Sequence, residues 1–239
     1  NMKSRGVDVI PIVRSKVNEE DVVCDLLNLE MVNEIFRKHN IGIVIHCAAL
    51  VPKTIDDYNK CNIYELNVKM LENINKYKPK KLIFCSSVSV YGTQATGMLE
   101  ESMVEKHTNT YAHSKVICEN VLIKDSESSH IIARLPGLFG GGRTSGLIFN
   151  TVNALLKHEL PDLPAVAPAW SAMHVEDAAD LIVRLSVNAP LQNQILCNVG
   201  YGVPQGIQRL INECIALLNI DDLPLANVSD NWVCQNINR

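Results

Sequence analysis

The stretch KLIFCSSVSVYG, residues 81–92, joins a strongly apolar run to a serine-rich segment. Its first half, Lys81–Ser86, has the near-continuous apolar character of a strand that is buried on both faces of a parallel sheet. Its second half runs off the end of that strand and predicts a loop. Because ligands bind at the carboxyl ends of the strands in open α/β sheets, Ser87 and Ser89, which follow this strand, are predicted to line a binding site.

Apolar runs alternate with longer amphipathic segments along the chain. The predicted strands are Val7–Val13, Ile41–Cys47, Lys81–Ser86, His130–Leu135 and Gln194–Val199. The predicted helices are Leu29–His39, Asn59–Lys78, Tyr111–Lys124, Thr144–His158, Glu176–Ser186 and Pro204–Asn219. This alternation of strands and helices predicts an α/β fold with a parallel sheet.

Composition and charge exclude several classes of protein. The chain has 239 residues, 47% of them hydrophobic, which is typical of a globular protein and not of a disordered or fibrous one. A formal net charge of -4 offers no basic surface to nucleic acid or to an anionic membrane, so neither partner is expected. The longest apolar stretch, Ile41–Val51, is far shorter than the ~20 residues that span a bilayer. No secretory signal opens the sequence, so a cytoplasmic location is expected.

The 8 cysteines are spread along the chain. They form no CxxC motif and match no zinc-ligand spacing, so no metal is expected. Several of them, including Cys24 and Cys85, stand inside apolar runs, where a free cysteine behaves as a small hydrophobic residue. We therefore expect reduced cysteines in the core of an intracellular protein.

The segment YAHSK places Tyr111 and Lys115 four residues apart, on one face of a predicted helix. A free tyrosine has a pKa near ~10 and accepts a proton poorly at neutral pH. A nearby ammonium group favours the phenolate, so the pair suits general acid–base catalysis. The alternative is a chance spacing with a solvated lysine. Ser87 favours catalysis, because its hydroxyl group can hydrogen-bond the substrate oxygen that Tyr111 protonates or deprotonates.

Ser87, Tyr111 and Lys115, with the segments HCAAL (His46–Leu50) and SSVSVYG, resemble the extended short-chain dehydrogenase/reductases. This family contains NAD(P)-dependent epimerases, dehydratases and reductases of nucleotide sugars. The resemblance covers nearly the whole chain, and it includes the segments Cys24-Asp25-Leu26, Asn67-Val68, RLPGLFG (Arg134–Gly140) and HVED (His174–Asp177). It implies a Rossmann-like doubly wound parallel sheet with a small C-terminal substrate lobe.

The resemblance also implies roles for individual residues. Tyr111 would be the acid–base, Lys115 would lower its pKa and hold the ribose hydroxyls, and Ser87 would polarise the reacting carbonyl or alcohol. The cofactor-binding residues would be Tyr111 and Lys115 together with Arg14, Ser15, Asp25, Leu26, Cys47, Ala48, Ala49, Leu50, Asn67, Pro136 and Leu138. The substrate-binding residues would be Ser87, Ser89, Gly137 and Arg143.

Two features of composition suggest where the chain divides. A glycine run at Gly140–Gly142 is followed by a proline-rich loop at Pro161–Pro168. We expect residues 1–140 to form a dinucleotide-binding domain that is incomplete at its N-terminus. Residues 141–239 would form most of the substrate-binding lobe, with some elements returning to the Rossmann sheet.

The family's opening strand and glycine-rich turn, TGxxGxxG, do not occur in this sequence, where Gly6 is the only glycine before Gly42. Such glycines let the backbone approach a pyrophosphate at a helix N-terminus. Asn1–Gly6 instead resembles the end of the first helix, and Val7–Val13 resembles the second strand. Loss of the first strand would leave two ladders unpaired in the middle of the sheet. We therefore expect about 20–30 residues before Asn1 in the natural protein.

Two departures from the family bear on cofactor and reaction. Arg14, followed by Ser15 and Lys16, stands where NAD-specific members carry an acidic residue, which favours NADP over NAD. The alternative is that Arg14 and Lys16 are solvated surface charges with no role in cofactor choice. Val88 and Ser89 stand where dehydratases carry Asp-Glu, so dehydration is disfavoured.

Two further departures concern the substrate. Gly137 replaces the asparagine of many members that bind sugar nucleotides, and Trp170-Ser171-Ala172 replaces an arginine that precedes the HVED segment. Arg143 and Arg184 are candidate replacements for phosphate recognition, and a structural role is the alternative for both.

We therefore predict an NAD(P)-dependent epimerase or reductase that acts on a hydroxyl or carbonyl group of a sugar carried by a nucleotide. The alternative is a catalytically silent dinucleotide-fold protein with a binding or regulatory role, which the missing glycine turn and the altered substrate residues favour. Asn59–Lys78 and Tyr111–Lys124 correspond to the helices of the family's dimer interface, so a homodimer is expected by resemblance.

Overall fold

The computed structural model describes residues 6–51, 62–92, 95–103, 109–161, 170–191 and 194–220, and the backbone of 232–235. The helices are α1 (Leu29–Lys38), α2 (Asn62–Asn75), α3 (Thr110–Lys124), α4 (Leu147–Leu155), α5 (Val175–Asn188) and α6 (Ile207–Leu218). The strands are β1 (Ile12–Val13), β2 (Val22–Val23), β3 (Ile43–His46), β4 (Lys81–Ser87), β5 (Gly97–Leu99), β6 (Ser129–Leu135), β7 (Gly137–Phe139), β8 (Ala172–His174), β9 (Gln194–Asn198), β10 (Gln205–Gly206) and β11 (Trp232–Gln235). The predicted α/β class is confirmed.

The central sheet has the strand order β3-β4-β6-β9. β3 and β4 run parallel, from the pair Ile43 and Lys81 to the pair His46 and Phe84. Every residue from Lys81 to Ser86 is buried, as predicted for a strand covered on both faces. The core contains side chains of α2, α3, β4 and β6, namely Leu71, Ile74, Leu82, Phe84, Cys118, Leu122 and Ile132. Each of the Leu, Ile and Phe side chains stabilises the fold by ~1.5–3 kcal/mol through burial.

Lys81 shows how a charged residue is accommodated at the start of β4. Its side chain is buried, and Nζ donates to the carbonyl oxygens of Ser186 at 2.9 Å and Ala189 at 2.6 Å. These carbonyls lie in the last turn of α5 and just beyond it, where the partial negative charge of the helix favours a cation. Burial lowers the pKa of Lys81. The lysine therefore ties the end of α5 to the start of β4.

β1 and β2 form a separate parallel pair, in which Ile12 faces Val22 and Val13 faces Val23. The strand predicted over Val7–Val13 is thus shorter than expected. Within the described residues no strand pairing joins this pair to the central sheet. An apolar cavity of about 160 Å³ lies among side chains of β1, α1, β3 and α2 and their flanking loops. That further residues precede Asn1 in the natural protein stays a prediction.

The chain divides into two compact units. One comprises the described residues within Asn1–Ser86, His107–Ala133 and Asp180–Leu196. The other comprises those within Ser87–Lys106, Arg134–Ala179 and Cys197–Arg239. In the second unit β7 and β8 pair in parallel, and β10, β11 and β5 form a small sheet. The division into residues 1–140 and 141–239 stays a prediction.

Local capping sets where the helices begin. Asn28 caps α1, since its side chain accepts from the backbone N–H groups of Glu30 and Met31. α4 begins at Leu147, three residues later than predicted, because Gly146 precedes it with φ of 99°. α6 begins at Ile207 and not at Pro204, because Gln205–Gly206 pairs as a strand with β11.

No helix among the described residues is long and apolar enough to cross a membrane. In the same part of the chain, no group of three or more His, Cys, Asp or Glu residues is placed to hold a metal ion. The cytoplasmic location stays a prediction.

Candidate active site

Helix α3 carries both residues of the predicted acid–base pair. Asn109 caps the helix, its Oδ1 accepting from the N–H of Ala112 at 2.9 Å, and this fixes the first turn that contains Tyr111. Nζ of Lys115 lies 5.7 Å from the centroid of the Tyr111 ring. The structure therefore places the two side chains side by side, as the four-residue spacing predicted.

Lys115 is anchored to the end of β4. The residue is only 4% exposed, and Nζ donates to the carbonyl oxygen of Cys85 at 2.7 Å while lying 4.6 Å from the centre of the Phe84 ring. One residue further along β4, the hydroxyl of Ser86 donates to Oε1 of Glu119 at 2.5 Å. These two contacts hold α3 against the strand that leads to Ser87.

The electrostatics around Lys115 follow from its burial. Burial lowers the pKa of Lys115, and the nearby thiols and Glu119 oppose this effect. His46 is 3% exposed, and burial together with the charge of Lys115 lowers the pKa of its imidazole to about 3. His46 is therefore neutral at physiological pH, and its ring stacks on Phe84 with centroids 5.9 Å apart. A cation beside a tyrosine ring can stabilise a phenolate, so the arrangement suits proton transfer.

Ser87 and Ser89 lie where β4 gives way to a short 3-10 turn, Val88–Tyr91. Oγ of Ser87 accepts from the backbone N–H of Ser89 at 3.2 Å and so caps this turn. Both serines are half-buried. Oγ of Ser89 is buried and has no hydrogen-bond partner among the described residues. Ser87 thus occupies the carboxyl end of β4, as predicted.

Asn67 on α2 fixes the segment that follows β3. Its Oδ1 accepts from the N–H of Leu50 at 2.7 Å, and its Nδ2 donates to the carbonyl oxygen of Leu50 at 3.1 Å and to Oγ of Ser114 at 3.2 Å. The residue is buried. Asn67 therefore holds the HCAAL loop against α2 and α3. These contacts are those of a residue that positions the loop.

The remaining predicted cofactor residues of this unit follow the carboxyl ends of β1, β2 and β3. Arg14 and Ser15 come directly after β1, and both are exposed. Asp25 is also exposed and stands two residues after β2, where its Oδ1 accepts from the N–H of Leu27. Leu26, Cys47 and Ala48 line the apolar cavity, and Ala49 and Leu50 complete the loop. The ends of β1 and β2 thus present exposed polar groups, and the loop after β3 adds an apolar wall, a set that fits the charged and aromatic parts of a dinucleotide.

The second unit holds the other predicted residues. A cavity of about 70 Å³ is lined by Gly137, Leu138, Arg143, Trp170 and seven neighbours. Pro136 is buried directly before it. Nη1 of Arg143 donates to the carbonyl oxygen of Leu138 at 3.0 Å, and the side chain is otherwise exposed. Gly137 leaves room for its neighbours, since a Cβ there would lie 3.2 Å from the carbonyl oxygen of Ser171 and 3.7 Å from Nε1 of Trp170.

The anchoring partners of the pair are not predicted from the sequence. The sequence indicates only an apolar core position for Cys85 and no role for Ser86 or Glu119, although the three residues hold Lys115 and α3 in place. Glu119 follows Lys115 by four residues and so lies on the same face of the helix. This spacing was the available signal. Arg184 is exposed and pairs with Asp180 at 2.6 Å, as a structural side chain on a helix surface would.

Comparison with known proteins identifies a matching family and several similar proteins. Residues 1–200 match the NAD dependent epimerase/dehydratase family. The chain is 34% identical over 220 residues to the UDP-glucose 4-epimerase of Yersinia enterocolitica, covering 79% of this chain and 64% of that one. It is 29% identical over 227 residues to the GDP-6-deoxy-D-talose 4-dehydrogenase of Aggregatibacter actinomycetemcomitans, covering 86% and 75%. Two further UDP-glucose 4-epimerases also match this chain. The match covers 37% of the length of the Dictyostelium discoideum protein and 44% of the length of the Bacillus subtilis protein.

Solved structures share the fold. MoeE5 in complex with UDP-glucuronic acid and NAD superimposes with a TM-score of 0.76 at 18% identity, covering 99% of this chain and 84% of that one. The UDP-glucose 4-epimerase of Thermotoga maritima, solved with UDP-glucose, gives a TM-score of 0.72 at 18% identity, covering 99% and 83%. This likeness confirms the predicted Rossmann-like fold.

Proposed function

The chain belongs to the NAD-dependent epimerase/dehydratase family, and we propose that it is an NAD(P)-dependent epimerase or reductase of a nucleotide sugar. The observation that carries this proposal is the pair of Tyr111 and Lys115 on α3, with Nζ of Lys115 fixed against β4 and 5.7 Å from the tyrosine ring. Similar proteins include a UDP-glucose 4-epimerase and a GDP-6-deoxy-D-talose 4-dehydrogenase, which supports the substrate class.

Tyr111 would move the proton of the reacting hydroxyl group. The fixed positive charge of Lys115 favours the phenolate form that accepts this proton. Ser87, at the end of β4, would hydrogen-bond the same substrate oxygen and hold it in place. Ser86 would take no part in the chemistry, because its hydroxyl already donates to Glu119.

The cofactor would lie along the strand ends of the first unit. A bound nicotinamide dinucleotide supplies the hydride acceptor or donor. Lys115 would hold its ribose hydroxyls, the Cys47–Leu50 loop would line its phosphates and ribose, and Asp25 with Leu26 would contact its adenine. Asn67 would act through the loop that it clamps. Pro136 and Leu138 would contact the nicotinamide.

NADP is the proposed preference. Arg14 follows β1 directly and is exposed, with Lys16 close by in sequence, and a guanidinium group at this position suits a 2′-phosphate. Comparison of NADPH and NADH affinity tests this preference. The wild-type protein should bind NADPH more tightly, and the variant Arg14→Ala should lose that difference. Equal affinities in the wild type, or tighter binding of NADH, would reject the preference.

The second unit would supply substrate-binding residues. Arg143 is exposed beside the Gly137 cavity, and its guanidinium group suits a phosphate of the nucleotide. Ser89 and Gly137 would complete the set, with Gly137 leaving space against Trp170. Val88 and Ser89 cannot supply the acid–base groups that expulsion of water requires. Epimerisation or reduction is therefore proposed, and dehydration is not.

A homodimer through α2 and α3 is part of the proposal. The two helices pack together, with Tyr64 and His113 stacked at 5.0 Å. The apolar residues Val116 and Ile117 of α3 remain half-exposed in the single chain, which supports a further contact there. Sedimentation analysis tests it. The wild type should sediment as a dimer and Ile117→Lys as a monomer, and a monomeric wild type would reject the dimer.

The activity test uses the purified protein with NAD(P)+ and UDP-glucose. The expected result is formation of UDP-galactose or reduction of the dinucleotide. The reduction is monitored by the absorbance of the dinucleotide. Tyr111→Phe should lower turnover by ~10²–10⁴-fold, the usual contribution of a general acid–base. His113→Ala is the matched control, because His113 lies on the same helix turn but is exposed. A protein that binds dinucleotide but converts no sugar nucleotide would favour the catalytically silent alternative.

A further inference from the structure

Cys47 and Cys85 lie directly opposite one another at the carboxyl ends of β3 and β4. The register pairs His46 with Phe84, so the next residues along the two parallel strands are Cys47 and Cys85. Paired residues of neighbouring strands point to the same face of the sheet. The two Sγ atoms are 3.5 Å apart. Neighbouring strands of a sheet lie ~4.7–4.9 Å apart, which is within the range of Cα separations that a disulfide bridges.

The two thiols differ in access and in charge. Among the cysteines whose side chains are described, Cys47 is the exposed one, whereas Cys85 is 7% exposed. The contact with Cys85 and the charge of Lys115 lower the pKa of Cys47 to about 7, against the effect of burial. The same contact and burial raise the pKa of Cys85. Cys47 is therefore the nucleophilic thiolate, and Cys85 is the protonated partner.

We propose that Cys47 and Cys85 form a reversible dithiol–disulfide pair that responds to peroxide. The thiolate of Cys47 attacks one oxygen of hydrogen peroxide, which gives a sulfenic acid on Cys47 and releases hydroxide. The thiol of Cys85 then attacks the sulfenic sulfur, forming the S–S bond and releasing water. Both sulfurs are oxidised, and one hydrogen peroxide is reduced to one hydroxide and one water. A dithiol reductant reverses the change by thiol–disulfide exchange.

Bond formation would change the cofactor site, and this step rests on the proposed function. The sulfurs must approach by roughly 1.5 Å to reach the ~2.05 Å of a disulfide. Cys47 begins the loop that is proposed to line the dinucleotide, and the carbonyl oxygen of Cys85 holds Lys115. Drawing Cys47 toward β4 would remove the loop from its binding position. We expect oxidation to weaken dinucleotide binding by about tenfold or more.

Peptide mapping by mass spectrometry after mild peroxide treatment of the folded protein tests the pair. The expected result is a disulfide between the peptides that contain Cys47 and Cys85, which dithiothreitol reverses. In Cys85→Ser, oxidation should stop at a sulfenic acid on Cys47 that dimedone traps. Cys197→Ser is the control and should give the same disulfide as the wild type. A wild-type map with no bond between Cys47 and Cys85, or with another cysteine oxidised first, would overturn the proposal.

Binding of NADPH or NADH to the reduced and oxidised protein tests the consequence separately. Weaker binding after oxidation, restored by dithiothreitol, supports control of the cofactor site. If the disulfide forms and dinucleotide binding is unchanged, the dithiol–disulfide pair is supported, but the proposed effect of oxidation on the cofactor site is rejected. A protein that binds no dinucleotide in either state would reject the proposed function, while the peptide map still decides the disulfide.

Discussion

Nζ of Lys115 lies 2.7 Å from the carbonyl oxygen of Cys85, two residues before the end of β4. The ammonium group is therefore held by the backbone of the strand, so its position does not depend on a flexible acidic side chain. The buried cation stays beside Tyr111, where it can act on the phenol without first being reoriented.

Replacement of Lys115 by methionine should separate charge from packing. Lys115→Met keeps most of the buried methylene contacts but removes the cation beside Tyr111. We expect turnover to fall by at least ~100-fold, because the phenolate loses its stabilising charge. Initial rates with UDP-glucose, together with circular dichroism to verify folding, measure this. Lys124→Met, on the exposed end of α3, is the control, and a folded Lys115→Met protein with wild-type turnover would contradict the assignment.

The loop clamp can be tested at Asn67. Asn67→Ala removes two bonds to Leu50 and one to Ser114, and we expect it to cost ~1–3 kcal/mol of stability and to weaken dinucleotide binding. Asn75→Ala is the matched control on the same helix, since Asn75 is also buried and donates to Asp125 at 2.7 Å. It should lose similar stability but keep its affinity. Urea denaturation and cofactor titration measure both effects, and equal affinity losses would contradict the clamp.

The neighbouring serines at the end of β4 should have opposite effects. Ser86→Ala leaves the buried carboxylate of Glu119 without its 2.5 Å donor, and we expect a loss of ~1–3 kcal/mol in stability with turnover retained. Ser87→Ala should lower turnover while changing stability by only about 1 kcal/mol or less, the cost of a lost cap. Thermal unfolding and kcat compare the two. The assignment fails if Ser86→Ala is the less active variant.

His46 should make the protein sensitive to acid. Its folded pKa of about 3 lies below the ordinary value of 6.5, so the unfolded state binds a proton that the folded state does not. Stability is therefore lost as pH falls from 6.5 toward 3, and nothing is contributed above 6.5. At ~1.4 kcal/mol per pKa unit, the free energy of unfolding falls by several kcal/mol over this pH range. Urea denaturation from pH 7 to pH 4 should show a shallower loss in His46→Gln, and parallel curves for the two proteins would refute this.

Much of the fold could be predicted because long elements carry a periodic or continuous apolar pattern. The strand Lys81–Ser86 and the helix Tyr111–Lys124 were predicted to within one residue of each end. Short strands such as Gly97–Leu99 and Gln205–Gly206 were missed, because they arise from backbone pairing with β11 and have no pattern of their own.

The proximity of Tyr111 and Lys115 follows from local sequence, since helical geometry brings residues four apart onto one face. Local sequence also places Ser87 after a buried strand. Three contacts join residues that are distant in sequence: Lys115 binds Cys85, 30 residues away, Asn67 binds Leu50, 17 residues away, and Cys47 contacts Cys85, 38 residues away. These contacts depend on strand register and on how α3 packs against β4, and no local pattern encodes either.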